Sequence, residues 1–197
     1  KIPGYKPTID IDVGEDFIEI KDNCAGISKK EEKRAFSIAH ANPDFKGVGT
    51  FGMGMKISAC WFTDFWEVET KALGEKEQKK WTIDVNKIAL DSDTDIGPKK
   101  TKNDGNPYTK ILLKNCFPER IPRTTTITTL RNHLQDIYRW YLIDNILNIK
   151  YNGKLLQYTL PKIKEAPTYQ DQKKELKGEE VTYRKWISQI PKIDLGK

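Results

Sequence analysis

Short stretches that alternate apolar with polar residues constrain the fold of this chain more than any other feature. "TIDIDV" (8–13) and "FIEIKD" (17–22) read as a strand pair, with "GED" as the turn between them. "WFTDFWEVETKA" (61–72) and "KKWTIDV" (79–85) flank "LGEKEQ" as a longer hairpin, and "YTKILLKN" (108–115) adds a strand rich in β-branched and apolar residues. "ILNIKYNGKLLQY" (146–158) carries Asn152-Gly153 between two apolar runs, a hairpin signal. Two helices interrupt the strands. In "SKKEEKRAFSIAHA", Ser28 and Glu31 have capping-box spacing, so a helix of about three turns is expected from Ser28. Leu130, Leu134, Ile137 and Tyr141 form an apolar stripe that predicts a second helix over 130–142. "NPDFKGVGTFGMG" (42–54) reads as a loop, residues 91–107 as a polar excursion, and the stretch from Pro161 to about Gly178 as a charged linker before a short element around Tyr183–Ile190. The order β-β-α-loop-β-β-β-α-β-β predicts an α+β protein: a two-layer α/β sandwich with a mixed, largely antiparallel sheet and helices on one face.

Composition narrows the class further. With 37% apolar and 31% charged residues, the 197-residue chain suits a soluble globular protein with one principal core. No run approaches the ~18 apolar residues of a membrane span, so no membrane partner is expected. Cys24, Cys60 and Cys116 are odd in number and widely spaced, which favours reduced thiols and an intracellular setting, cytoplasmic or nuclear. The net charge of +6 favours polyanionic partners, though it is dispersed. The chain opens on Lys1, and "KIPGYKP" lacks the features of a signal peptide; a fragment or processed form of something longer is expected.

"GVGTFGMGMK" (47–56) can be parsed two ways. From Gly47 it is G-x-G-x-x-G, but a dinucleotide fingerprint needs a strand directly before it, and here a helix and a proline-containing loop precede. The P-loop pattern fails too, because Lys56 is followed by Ile57. From Gly49 it is G-x-x-G-x-G-x-K, in which Gly49, Gly52 and Gly54 let successive backbone N–H groups turn toward phosphate oxygens and Lys56 adds a point charge. Upstream, "IEIKDNCAGI" (18–27) puts Asp22 at a strand end; downstream, Thr109 opens the strand "TKILL". A carboxylate so placed can accept a hydrogen bond from the exocyclic amine of adenine. Each residue also has an ordinary reading: Asp22 as a turn cap, Thr109 as a β-former, Lys56 as a solvated lysine.

In this order the three pieces resemble the GHKL superfamily of ATP-binding domains (gyrase, heat-shock chaperone, histidine kinase, MutL). "LRNHLQDIYRWYL" followed by "NILNIKYNGK" looks closest to MORC proteins and their prokaryotic relatives. The resemblance implies a Bergerat-type fold over residues 1–160, with 161–197 as linker and the start of a following element. It implies ATP with Mg2+ as ligands, and an ATP site built from Asp22, Gly26, Thr109, the segment Gly49, Thr50, Phe51, Gly52, Met53 and Gly54, and Lys56. Residues 40–54 would be the family's lid. Closure would drive homodimerisation and act on attached domains, with DNA handling or defence as the setting.

The pattern departs from the family twice. Cys24 stands where the first glycine of D-x-G-x-G is expected. The helix bearing the general-base glutamate and the magnesium-binding asparagine should precede the first strand, but Pro3 and Pro7 preclude it in residues 1–7. No catalytic residue or metal ligand is therefore assigned in this chain. Either that helix lies in a part not included here, or the chain is a degenerate module that binds protein or nucleic acid without turnover.

Overall fold

The computed structural model describes residues 5–36, 53–90 and 97–159 and, further on, four strands. The chain divides into two compact units, Lys1–Tyr158 and Thr159–Lys197. The first is built on an eight-stranded sheet. Its strands are β1 (Thr8–Val13), β2 (Ile18–Asp22), β3 (Phe65–Lys71), β4 (Glu77–Asp84), β5 (Lys99–Lys102), β6 (Tyr108–Lys114), β7 (Asn148–Tyr151) and β8 (Lys154–Leu155). They run in the spatial order β5-β4-β3-β6-β2-β1-β7-β8, with every neighbouring pair antiparallel except β1 and β7.

Register converts the sequence alternation into two faces. Val13, Ile18, Leu113, Trp66 and Ile83 align in one cross-strand row, and Ile11, Ile20, Ile111, Val68 and Trp81 in the next. Both rows face the helices. Phe36 of α1 (Lys29–Phe36), Met55 and Phe62 of α2 (Gly54–Phe62), and Val85 and Ile88 of α3 (Val85–Leu90) pack against this core. Phe36 stacks on Trp81 with ring centres 4.0 Å apart. Leu130 and Leu134 of α4 (Thr124–Ile137) and Leu142 of α5 (Arg139–Ile143) cover Ile149, Tyr151 and Leu156 at the other end of the sheet. The opposite face is charged: Lys150 pairs with Asp10 at 3.2 Å, and Glu67 is shared by Lys114 at 2.9 Å and Lys80 at 3.1 Å. One apolar and one ionic face is what an antiparallel sheet covered on one side requires, and the expected two-layer architecture is the one observed.

Several elements differ from expectation. The strand read from Trp61 begins only at Phe65, because 54–62 is helical: Met55, Ala59 and Phe62 recur at i, i+4, i+7 and make one buried stripe, a period hidden by the adjacent Trp61. The polar excursion contains β5, whose four residues are all exposed and which is held to β4 by main-chain pairing alone. The second helix starts at Thr124, before its apolar stripe, and breaks at Tyr138. Glu31 does not close a capping box; its carboxylate bonds Arg34 at 2.6 Å. The Asn152-Gly153 turn has positive φ at both residues, 46° and 73°, as a two-residue hairpin loop demands. Trp66 and Trp81 are buried, whereas Trp61 and Trp140 are exposed.

In the second unit, β10 (Asp171–Leu176) pairs antiparallel with β11 (Glu179–Arg184), and β9 (Lys164–Glu165) with β12 (Ser188–Gln189). The stretch read as linker holds β9 and β10, whose partners β12 and β11 lie beyond it; Val181, Thr182 and Tyr183 of β11 are strong β-formers.

An ion cluster fastens α1 to the β3–β4 hairpin. The ammonium of Lys79, 5% exposed as a residue, reaches Glu32 at 2.6 Å and Glu75 at 2.5 Å, and Glu75 also accepts the Lys29 amide at 3.1 Å. Burial opposes the Lys79 charge, but its two carboxylate partners win and raise its pKa. The Lys79 hydrogen bond holds the Glu75 carboxyl below its ordinary value against the opposing effect of burial. A depressed carboxyl contributes stability that is complete above its unfolded pKa and is lost as pH falls through the folded value. Urea denaturation followed from about pH 7 to about pH 3 should therefore show a steep acid loss in the native chain and a shallower one in Glu75→Gln, which is also the less stable protein near neutrality.

Candidate functional site

A third row crosses the helix-facing side of the sheet, and it is polar where the other two are apolar. Asp22, Thr109, Thr70 and Lys79 stand side by side on β2, β6, β3 and β4. Thr70, 1% exposed, is its centre. Its hydroxyl donates to the Tyr108 carbonyl at 2.8 Å, accepts the Ile27 amide at 2.9 Å and lies 3.3 Å from the Thr109 hydroxyl. Asp22 turns one carboxylate oxygen onto the Cys24 amide at 2.7 Å, closing the turn that leads into α1. The Cys24 thiol lies beside that carboxylate; burial first and then the Asp22 charge push its pKa up, so it keeps its proton.

Gly26 is required for two reasons. Its φ is +70°, and a Cβ there would run into the backbone carbonyl of Lys71. The turn is pressed onto the end of β3, where the Leu73 amide donates to Ala25 at 2.8 Å. The close approach that Gly26 allows is to the sheet's own backbone.

Among the described residues no side chain caps the first turn of α2 at Gly54, and a Cβ on Gly54 would meet none of their atoms within 4 Å. The first-turn amides of such a helix suit an anion. Gly26 and Ile27 from the turn, Gly54 and Met55 from α2, and Glu31 and Arg34 from α1 line one cavity of about 310 Å³. That volume lies at the lower end of small-ligand sites. Two of the expected motifs thus open onto one space, whereas Asp22 and Thr109 lie in the sheet row at the far side of the turn and do not line it. Lys56 is not among the residues lining that cavity. Its ammonium donates to the Ala35 carbonyl at 2.9 Å and to that of Arg34 at 3.4 Å, and burial, then the Arg34 charge, lowers its pKa. It lines a second hollow, of about 430 Å³, with Met53, Ile57, Cys60, Trp61 and Arg120. Gly49, Thr50, Phe51 and Gly52 lie outside the described residues, as does most of the expected lid.

Sequence reading missed Thr70 and Arg34. The alternation of "WEVETK" does place Thr70 on the face of Trp66 and Val68; nothing in the sequence marked Arg34. Among the described residues no three His, Cys, Asp or Glu side chains gather as a metal-binding group. No described helix is long and apolar enough to cross a membrane.

The open mixed sheet covered on one face makes an α+β domain, in which the turn after the strand-end Asp22 shares a cavity with the glycine start of α2. The family model described as histidine kinase-, DNA gyrase B- and HSP90-like ATPase matches residues 8–113, and the chain belongs to that family. No curated protein matches it by sequence. Among solved structures it resembles the ATPase region of Saccharomyces cerevisiae topoisomerase II (22% identity, TM-score 0.54), covering 79% of this chain and 44% of that one. The same region bound to ICRF-187 (dexrazoxane) gives a TM-score of 0.55 at the same identity and coverage. The ATPase and transducer domains of topoisomerase II from Balamuthia mandrillaris match at 16% identity and TM-score 0.51, covering 76% of this chain and 42% of that one. At these identities the likeness is one of fold, and the chain spans less than half the length of each structure.

The two glycines should respond oppositely to alanine. Gly26→Ala forces both an unfavourable φ and a backbone collision and is expected to cost about 2 kcal/mol or more in thermal or urea denaturation. Gly54→Ala enters open space at a helix start and should stay within about 1 kcal/mol of the native chain.

Proposed function

We propose that this chain is the ATP-binding module of a GHKL-type ATPase. The purine sits against Asp22, with Thr109 and Thr70 behind it, and the phosphates lie toward the first turn of α2. The observation that carries the reading is the cavity shared by Gly26, four residues after Asp22, and Gly54, at the end of the glycine segment. It supports a ligand long enough to run from the sheet end to a helix N-terminus. The Asp22 carboxylate spends one oxygen on the Cys24 amide and retains acceptor capacity for an amine. The segment Gly49 to Met53 belongs to the phosphate end of this proposal, and Lys56 supplies positive charge near it. Mg2+ would then be carried by the phosphate oxygens.

Nucleotide-driven homodimerisation and action on attached domains extend the proposal, and the MORC-like appearance of residues 130–158 suggests DNA as the eventual substrate. Turnover requires a general-base glutamate, and no residue here has been assigned that role. The non-hydrolysing reading therefore stays beside the ATPase reading.

Calorimetric titration with ATP and a non-hydrolysable analogue tests the site. Asp22→Asn preserves an acceptor for the Cys24 amide but places an amide donor beside the adenine amine, so affinity should fall about tenfold or more with little change in stability. Undiminished binding in Asp22→Asn would remove the purine assignment.

A further inference from the structure

We propose that Arg34 is a phosphate-binding residue of this site, held in place by Glu31. The inference rests on the nucleotide reading above and adds a residue that the sequence did not mark. Lys56 is the cation the glycine motif supplies, yet it lines the hollow on another side of α2, and its ammonium is bonded to two α1 carbonyls. Arg34 is the cation among the described residues lining the cavity that Gly26 and Gly54 share. Three segments separated in sequence bring to that space a left-handed glycine, the start of a helix and Arg34.

The local electrostatics favour an anion there. The Arg34 guanidinium is close enough to the Lys56 ammonium to depress its pKa, so two like charges are held together at the end of α1. The Glu31 carboxylate bonds Arg34 Nε at 2.6 Å, which offsets one charge and restricts the long side chain. A guanidinium restrained by a carboxylate loses less freedom when it binds, and its planar fork suits phosphate oxygens better than an ammonium does. The occupant this chemistry selects is a di- or triphosphate; a nucleoside lacks the charge to use it.

The test compares ATP, ADP and adenosine binding to the full 197-residue chain and to Arg34→Ala, Arg34→Lys and Asp22→Asn, with melting temperatures recorded for each. Arg34→Ala should weaken ATP and ADP about tenfold or more and leave adenosine unchanged, and Arg34→Lys should fall between it and the native chain. Asp22→Asn should weaken all three ligands. Equal loss of adenosine and ATP in both Arg34 variants would reduce Arg34 to a structural role and overturn the inference. Native ATP affinity in Arg34→Ala would overturn it while leaving the purine site intact, whereas a native chain that binds none of the three ligands would overturn the nucleotide reading and this inference together. If Arg34→Ala does not fold, the ATP-to-adenosine ratio in Arg34→Lys decides: a lower ratio supports the inference and an unchanged one refutes it.

Discussion

The hydroxyl of Thr70 holds this site together. Buried in β3, it joins the carbonyl of Tyr108 on β6 to the amide of Ile27 at the start of α1, with the Thr109 hydroxyl beside it. A buried amide left without its acceptor would cost about 1–3 kcal/mol, so this single group sets where the turn from Asp22 to Ile27 rests on the sheet. That turn can lie against the Lys71 carbonyl only because residue 26 is glycine, and Lys79 repeats the fastening one strand further out through Glu32 and Glu75. The position of α1, and with it Glu31 and Arg34, follows from these bonds.

Polar groups of this kind would be a liability in an apolar layer, and the fold confines them to one row at the end of the sheet. Two rows of Ile, Leu, Val and Trp supply the burial, and the third holds the polar groups. Membership of the histidine kinase-, gyrase B- and HSP90-like ATPases accounts for that arrangement. The chain spans less than half of each structure it resembles.

Much of the fold was legible because period-two alternation survives translation into register. "TIDIDV", "FIEIKD" and "YTKILLKN" each became a strand whose alternate apolar residues, Ile9, Ile11 and Val13, Ile18 and Ile20, and Ile111 and Leu113, share one face. α2 was not legible, because its glycine start resembled a loop and the Trp61-Phe62 pair resembled a strand. β5 has no apolar residue to announce it, since main-chain pairing needs none. In the site, strand register sets Asp22 beside Thr109, and Lys56 does not line the cavity that Gly54 does. The difference is geometric: residues two apart at a helix start point to different sides, so a linear motif cannot say which of them meets the ligand.

The most direct measurement is an amide NMR titration of the chain, first with adenosine and then with ATP. The account predicts that adenosine perturbs the amides from Asp22 to Ile27 together with Thr109, and that ATP adds large shifts at Gly54 and its neighbours in the first turn of α2. Shifts confined to other parts of the sheet, or identical maps for the two ligands, would contradict it.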